Sequence, residues 1–284
     1  MTVHELPLEE RTLRGTFSRD YPPVLTIEPG DSVRFQSLNA RWHWEHGVDY
    51  VEVVGPGHAL NGPIEVRGAL AGETLVVRID EVTPRDWGVT FGAGQAFVWA
   101  LEGDRWTSER GHTVQAAPFL GVIGMPPPDA GQHSTGPPRR WGGNIDCKLL
   151  VADTTLFLPI PLNGARLSAG DGHGAQGDGE LSGTAIECPL ESAQLTIDVR
   201  DDLDLRMPIA RTADSWITFG FHEHLDVAGE LAAETMLDLI VREHDVDRAY
   251  ALALASVAVD LRVTQVVNGA KGVHAVLRDD AIEF

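Results

Sequence analysis

Val24-Leu25-Thr26-Ile27-Glu28, Pro29-Gly30-Asp31 and Ser32-Val33-Arg34-Phe35-Gln36 read as strand, turn and strand. Apolar and β-branched residues fill the flanks, and Pro-Gly-Asp breaks the chain between them. The pattern repeats outward. Gly72-Glu73 turns into a strand at Thr74-Leu75-Val76-Val77-Arg78-Ile79, and strand-like runs recur at 117–123, 148–151, 155–161, 165–168, 181–186, 195–199 and 216–221. Many short strands punctuated by glycine and proline predict a sandwich or barrel. Helical signal comes only late. Asp226 is the expected cap of a helix to about His244, with Val227, Leu231, Thr235 and Leu239 on one stripe. Asp245 or Asp247 starts a second helix through Ala255, and 262–267 and 273–277 read as closing strands. No period of 20–50 residues repeats. The expected fold is mainly β and sandwich-like, with a few helices in the C-terminal third, in one domain over residues 1–284.

With 43% hydrophobic residues the chain can bury a sizeable core. Its formal charge, 22 − 42 = −20, argues against nucleic acid and anionic membranes as partners, because both demand basic surfaces. A small neutral or cationic substrate suits it better. The first residues lack a basic-then-apolar leader, and the longest apolar run, 251–259, is too short to span a bilayer. A cytoplasmic location follows, in which Cys147 and Cys188 are free thiols.

The richest segment is Gly170-Asp171-Gly172-His173-Gly174-Ala175-Gln176-Gly177-Asp178-Gly179-Glu180. Glycines free the backbone to fold around one point, and Asp, His and Glu supply the donor set of zinc or a similar divalent ion. A flexible surface connection has a similar composition. The flanking strand-like sequence and the lack of Ser, Thr and Lys favour a site. The other irregular segment, 126–143, reads either as a lid or as a plain surface loop.

That segment runs into Gly142-Gly143-Asn144-Ile145-Asp146-Cys147-Lys148. Asp146 reads as a metal ligand or a base. Cys147 reads as a nucleophile or, preferably, as a small buried hydrophobe. His58, ahead of a Gly-Pro turn, reads as a ligand or a substrate contact, or else as a plain surface or satisfied core histidine, and Glu187 is either an orienting carboxylate or an exposed strand end. His222-Glu223-His224 lacks a third ligand and reads as exposed polar sequence.

The chain resembles the acetamidase/formamidase family of short-chain amide hydrolases. The resemblance rests on 62–69 with Gly72-Glu73, on Pro118-Phe119-Leu120-Gly121-Val122-Ile123-Gly124, on 142–148, on 164–180, and on Asp260-Leu261-Arg262-Val263-Thr264-Gln265-Val266-Val267. It implies a mainly β, sandwich-like fold and hydrolysis of the C–N bond of short linear amides such as formamide and acetamide. It also implies a divalent metal, zinc favoured and calcium possible, on Asp146, Asp171 and His173, and a homo-oligomer, with a dimer favoured. Catalytic roles then fall to Glu180, Asp178 and Asn144, and substrate contacts to His58 and Gly143. Two rivals remain. One is a metal-independent amidase with Cys147 as nucleophile. The other is a binding module whose calcium sits on Asp171, Gln176, Asp178 and Glu180.

Overall fold

The computed structural model describes residues 1–46, 48–49 and 56–282. Two sheets face each other. The larger has nine strands, in the order Val3–Leu6, Asp31–Ser37, Leu190–Arg200, Thr74–Pro84, Thr155–Pro159, Ile209–Arg211, Ser215–His222, Lys271–Arg278 and Val259–Gln265. All neighbours are antiparallel except the first two. The smaller sheet runs Gly142–Asn144, Phe119–Gly124, Ala165–His173, Leu60–Val66 and Leu13–Arg14, with Leu25–Ile27 parallel to Leu60–Val66. The expected sandwich is therefore the fold, and both strand and turn assignments around Pro29-Gly30 hold.

Alternation sorts side chains between layers, since neighbours along a strand point to opposite faces. Leu75, Val77 and Ile79 join Ile64, Val66, Leu120, Ile123 and Leu167 in the core between the sheets. Val76 points the other way, to a second core under helices α1 (Leu225–His244) and α2 (Arg248–Ala258). A four-stranded antiparallel meander, from Trp87–Gly92 to Thr113–Gln115, packs beside the smaller sheet and plants Trp106 fully in the main core.

Several expectations need correction. Gly170–His173 is not loop but the end of the Ala165–His173 strand. Its glycines are there for contact: a Cβ on Gly170 would lie 2.2 Å from the Ala59 carbonyl oxygen. The 148–151 run forms turns, closed by Leu150 N–H donating to the Cys147 carbonyl. Residues 181–183 form a turn, in which Gly183 N–H donates to the Glu180 carbonyl, Leu181 is exposed, and 184–186 run on without strand structure. Helix α1 is preceded by His224, which makes no side-chain cap, and Asp226 sits in its first turn. It buries Ala228, Ala232, Met236, Leu237, Leu239 and Ile240, so Leu239 is inside as expected, while Val227, Leu231 and Thr235 give way to the row one position round. Small residues win that face because the helix lies directly on the sheet. A Cβ on Gly220 would sit 2.0 Å from the Ala228 carbonyl oxygen, and Thr218 Oγ1 donates to the Ala232 carbonyl at 2.7 Å. Asp247 does cap α2, accepting from Tyr250 N–H at 2.9 Å.

Candidate metal and catalytic centre

Five donor side chains meet at one end of the smaller sheet. Asp146 follows the Gly142–Asn144 strand; Asp171 and His173 lie two apart, on one side of the Ala165–His173 strand. Glu180 enters from a segment pinned to the larger sheet, where Gly179 N–H donates to the Thr264 carbonyl and Val266 N–H to the Gly179 carbonyl. Glu187 is held by backbone bonds in both directions with Val89 of the meander. Ligand atoms of Asp146, Asp171 and His173 lie within 4.8 Å of one another, and so do those of His173, Glu180 and Glu187. All five residues are buried. The backbone at Asp146, Asp171 and Glu180 is left-handed, with φ of 51°, 62° and 46°. Non-glycine residues rarely adopt that conformation, and such strain clusters at functional sites.

Neighbouring amides orient the donors. Gln176 Nε2 donates to the Asp146 carbonyl at 2.7 Å, so its Oε1, 3.0 Å from His173 Nδ1, is the acceptor of that contact. His173 Nδ1 therefore carries hydrogen, and Nε2 is turned to Asp171 Oδ2 at 3.4 Å and Glu187 Oε2 at 3.5 Å. Asn268 Nδ2 donates to Asp146 Oδ2 at 2.5 Å. Phe119 sets its ring edge-on to His173, with centroids 4.9 Å apart.

Charge is crowded here. Burial, followed by the Glu180 charge, holds the Asp146 carboxyl well above the usual range. Burial also raises Glu187, and it lifts Glu180 to about 7. For Asp171 burial pushes upward, but the His173 and His58 charges outweigh it and hold the group at about 2. His173 shows the reverse balance: burial disfavours its charge, yet Glu187 and Asp171 hold it protonated well above its ordinary value.

This donor set fits a divalent ion. Asp146 Oδ1, Asp171 Oδ1, Glu180 Oε2 and Glu187 Oε2 are buried without a hydrogen-bond partner, which is costly for any oxygen unless a cation or proton compensates it. Beside them Gly121 leaves a cradle. A Cβ there would lie 2.7 Å from Asp171 Oδ2, 2.8 Å from His173 Cε1 and 2.9 Å from Asp146 Oδ1. Two carboxylates and an imidazole are zinc-type ligands, and the carboxylate excess also suits harder ions.

The expected residues fall into two groups. Asp146, Asp171, His173 and Glu180 come together. His58 stands at the edge, its Nε2 3.9 Å from Asp171 Oδ2 and its Nδ1 2.8 Å from Thr135 Oγ1. Asn144 and Gly143 are buried in the strand leading to Asp146, and Asn144 Oδ1 has no partner. Asp178 is not among the grouped donors; it pairs with Lys148 at 3.0 Å. Cys147 is buried and its thiol is pushed up to about 12, so it is not the thiolate a nucleophile requires. Glu187, weighed between two roles from sequence, is a buried donor. Gln176, named from sequence only as a possible calcium ligand, and Gly121 both lie in stretches of family resemblance, while Asn268 carried no signal. The 126–143 segment is tied down: His133 and Ser134 pair with Phe17 and Thr16, Gly131 N–H donates to Asp20, and Thr135 meets His58.

A β-sandwich enclosing a buried centre that can hold a metal ion is the class defined by this fold and site. The family described as "Acetamidase/Formamidase family" matches residues 129–275. The chain belongs to the acetamidase/formamidase family. It is 24% identical to a formamidase of Methylophilus methylotrophus, over 64% of this chain and 64% of that one. It is 25% identical to an acetamidase of Mycolicibacterium smegmatis, over 57% of this chain and 60% of that one. The matched part thus spans less than two thirds of these relatives' own length. A crystal structure of an acetamidase from Bacillus halodurans superposes with a TM-score of 0.87 at 25% identity, covering 96% of this chain and 97% of that one.

Proposed function

We propose that the protein hydrolyses the C–N bond of short linear amides, formamide and acetamide among them, to a carboxylate and ammonia. The observation that carries this reading is the closed cluster of Asp146, Asp171, His173, Glu180 and Glu187, with its unpartnered oxygens around the Gly121 cradle. Family membership supplies the reaction class. Asp146, Asp171 and His173 would hold a divalent ion, zinc by preference because of the imidazole. When bound, such an ion polarises a carbonyl and acidifies a water.

The rest of the chemistry belongs to the chain. Glu180, at about 7, is poised to accept a proton from the attacking water and return it to the leaving nitrogen. Asn144 and nearby backbone N–H groups are assigned to the developing oxyanion. His58 and the Gly143 backbone are assigned to substrate, and the 126–143 segment to the cover of the approach, since its Thr135 holds His58. Gln176 keeps His173 in the tautomer whose Nε2 faces the carboxylates.

Ammonia release from formamide and acetamide tests this, on chelator-stripped protein and after adding back Zn²⁺ or Ca²⁺. Turnover should return with one ion. Glu180→Gln should bind that ion yet lose turnover by at least 100-fold, on the order expected for a lost general base. Equal turnover before and after stripping would discard the metal, and an active Glu180→Gln would discard the base.

A further inference from the structure

Two histidines border the centre, and their hydrogen-bond partners set them in opposite tautomers. His173 carries hydrogen on Nδ1, facing Gln176, and turns a bare Nε2 to the carboxylates. His58 stands beyond Asp171, with its Nε2 3.9 Å from Asp171 Oδ2. Its Nδ1 lies 2.8 Å from Thr135 Oγ1, and its backbone N–H donates to the same oxygen at 2.9 Å.

Hydrogen supply decides the contact between Nδ1 and Oγ1. Thr135 Oγ1 already accepts from the His58 N–H, and a hydroxyl has a single hydrogen to give. Thr135 is fully buried, so water cannot take that hydrogen, and among the described residues the hydroxyl bonds to nothing but His58. A buried donor left unbonded is costly. The hydroxyl therefore donates to His58 Nδ1, and neutral His58 carries its own hydrogen on Nε2.

The neighbours keep this hydroxyl in place. His133 and Ser134, just ahead of it, pair with Phe17 and Thr16. Gly57 has φ of 113°, and a Cβ there would lie 2.4 Å from Thr135 Oγ1, so glycine is what lets the two segments come this close. The Gly57 carbonyl is fixed in turn by Trp42 Nε1 at 2.8 Å. The far side of the ring is open by contrast. Its distance to Asp171 is too long for a hydrogen bond, and the His58 side chain is 23% exposed where that of Asp171 is 2%. His58 thus reaches both the centre and its outside, with an Nε2 hydrogen that is not taken.

We infer that Thr135 is a positioning residue that holds His58 as an Nε2–H donor, and that this hydrogen is offered to the carbonyl oxygen of the entering amide. The inference rests on the amide hydrolysis proposed above. A donor at that oxygen stabilises it most as negative charge develops, so its loss lowers kcat more than it raises KM. The same tautomer bars His58 from holding the ion, because a ligand nitrogen must be bare and Nδ1 is occupied by Thr135. His58 is in neither of the two groups of converging donor atoms.

Nitrogen-15 NMR of the chelator-stripped wild type reads the tautomer without any turnover, at about pH 8, where an ordinary imidazole is neutral. The His58 signals, identified by their loss in His58→Gln, should show Nδ1 without hydrogen and Nε2 with it. Thr135→Val keeps the shape and removes the hydroxyl. It should mix the tautomers and lower kcat for acetamide by at least about tenfold, the usual cost of losing a group that orients a working side chain. Thr135→Ser should restore both. Zn²⁺ binding by His58→Gln, followed by calorimetry, should match the wild type. Thr135→Val also strips the His58 N–H of its acceptor, but the wild-type spectrum needs no variant of Thr135. Hydrogen on His58 Nδ1 in the wild type, weaker Zn²⁺ binding by His58→Gln, or full turnover by Thr135→Val would each overturn the inference and leave the amidase reading standing. A wild type that hydrolyses neither formamide nor acetamide would overturn that reading and the amide-oxygen role with it, whatever the ring nitrogens show.

Discussion

Three of the five clustered donors stand on left-handed backbone, and each costs on the order of 1 kcal/mol that the surrounding fold must offset. The chain accepts that cost because the twist turns Asp146, Asp171 and Glu180 toward one point from three different segments. Gly121 completes the arrangement by leaving something out. Its backbone is not left-handed, so replacing it with alanine tests space alone. Gly121→Ala should lower affinity for the restoring metal by at least tenfold in calorimetric titration, because its methyl group would press on Asp171, His173 and Asp146 together. The stripped protein should lose only about 1–3 kcal/mol, the usual cost of overpacking. Unchanged metal affinity would mean that the cradle is not where the ion sits. At this scale Asp146, Asp171, His173 and Glu180 are legible because donors in glycine-rich stretches are visible in a string. Asp178 looks like one of them, since adjacency in sequence cannot show that Lys148 draws that carboxylate aside. Gln176 and Asn268 were invisible as orienting groups for a plainer reason. Their partners, His173 and the two polar ends of Asp146, are fixed only by the fold.

Elements were legible where periodicity was clean. The strands around Pro29-Gly30, the capped α2 and the paired closing strands follow from local pattern. The glycine-rich stretch misled because glycine signals flexibility in a string, whereas here it permits close backbone approach within a strand. The closing pair also hides a titration. His274 is fully buried in Lys271–Arg278; its Nδ1 meets Thr264 Oγ1 at 2.8 Å and its Nε2 has no partner. Burial pushes it down to about 4, with Asp178 opposing and Arg262 and Lys148 assisting. The unfolded chain binds that proton near 6.5 and the folded chain only near 4, so in between the unfolded state holds more protons. Stability from this group is therefore full above about 6.5 and is lost as pH falls toward 4, by about 3 kcal/mol. Urea unfolding at pH 7 and pH 4.5 should show wild type losing about 2–3 kcal/mol more than His274→Gln over that interval. Parallel losses in the two proteins would refute the assignment.

On the scale of the whole molecule the layers explain how so acidic a chain tolerates a buried acidic centre. The smaller sheet supplies Asp146, Asp171 and His173; the larger sheet holds the Glu180 segment through Thr264 and Val266; the meander holds Glu187 through Val89. Pulling any one layer away dismantles the cluster: an ion on Asp146, Asp171 and His173 would sit on the smaller sheet, with Glu180 and Glu187 closing over it from the other two layers. No helix among the described residues is long and apolar enough to cross a membrane. On the proposed reading, ion binding is then a folding term of the entire sandwich. At a free-ion concentration about 100 times the dissociation constant, it adds about 2.7 kcal/mol. For a chain of this size that is a rise in thermal midpoint of about 4–5 °C over chelator-treated protein. The shift must also depend on pH. Without the ion, burial keeps Asp146 protonated well above the usual range and Glu180 to about 7, so binding has to displace protons. That displacement is harder at pH 6 than at pH 8. The midpoint gained on adding Zn²⁺ or Ca²⁺ should therefore grow from pH 6 to pH 8, and Asp146→Asn should remove both the gain and its growth. A gain that is the same at both pH values would place the ion elsewhere on the chain, away from the carboxylates that burial keeps protonated.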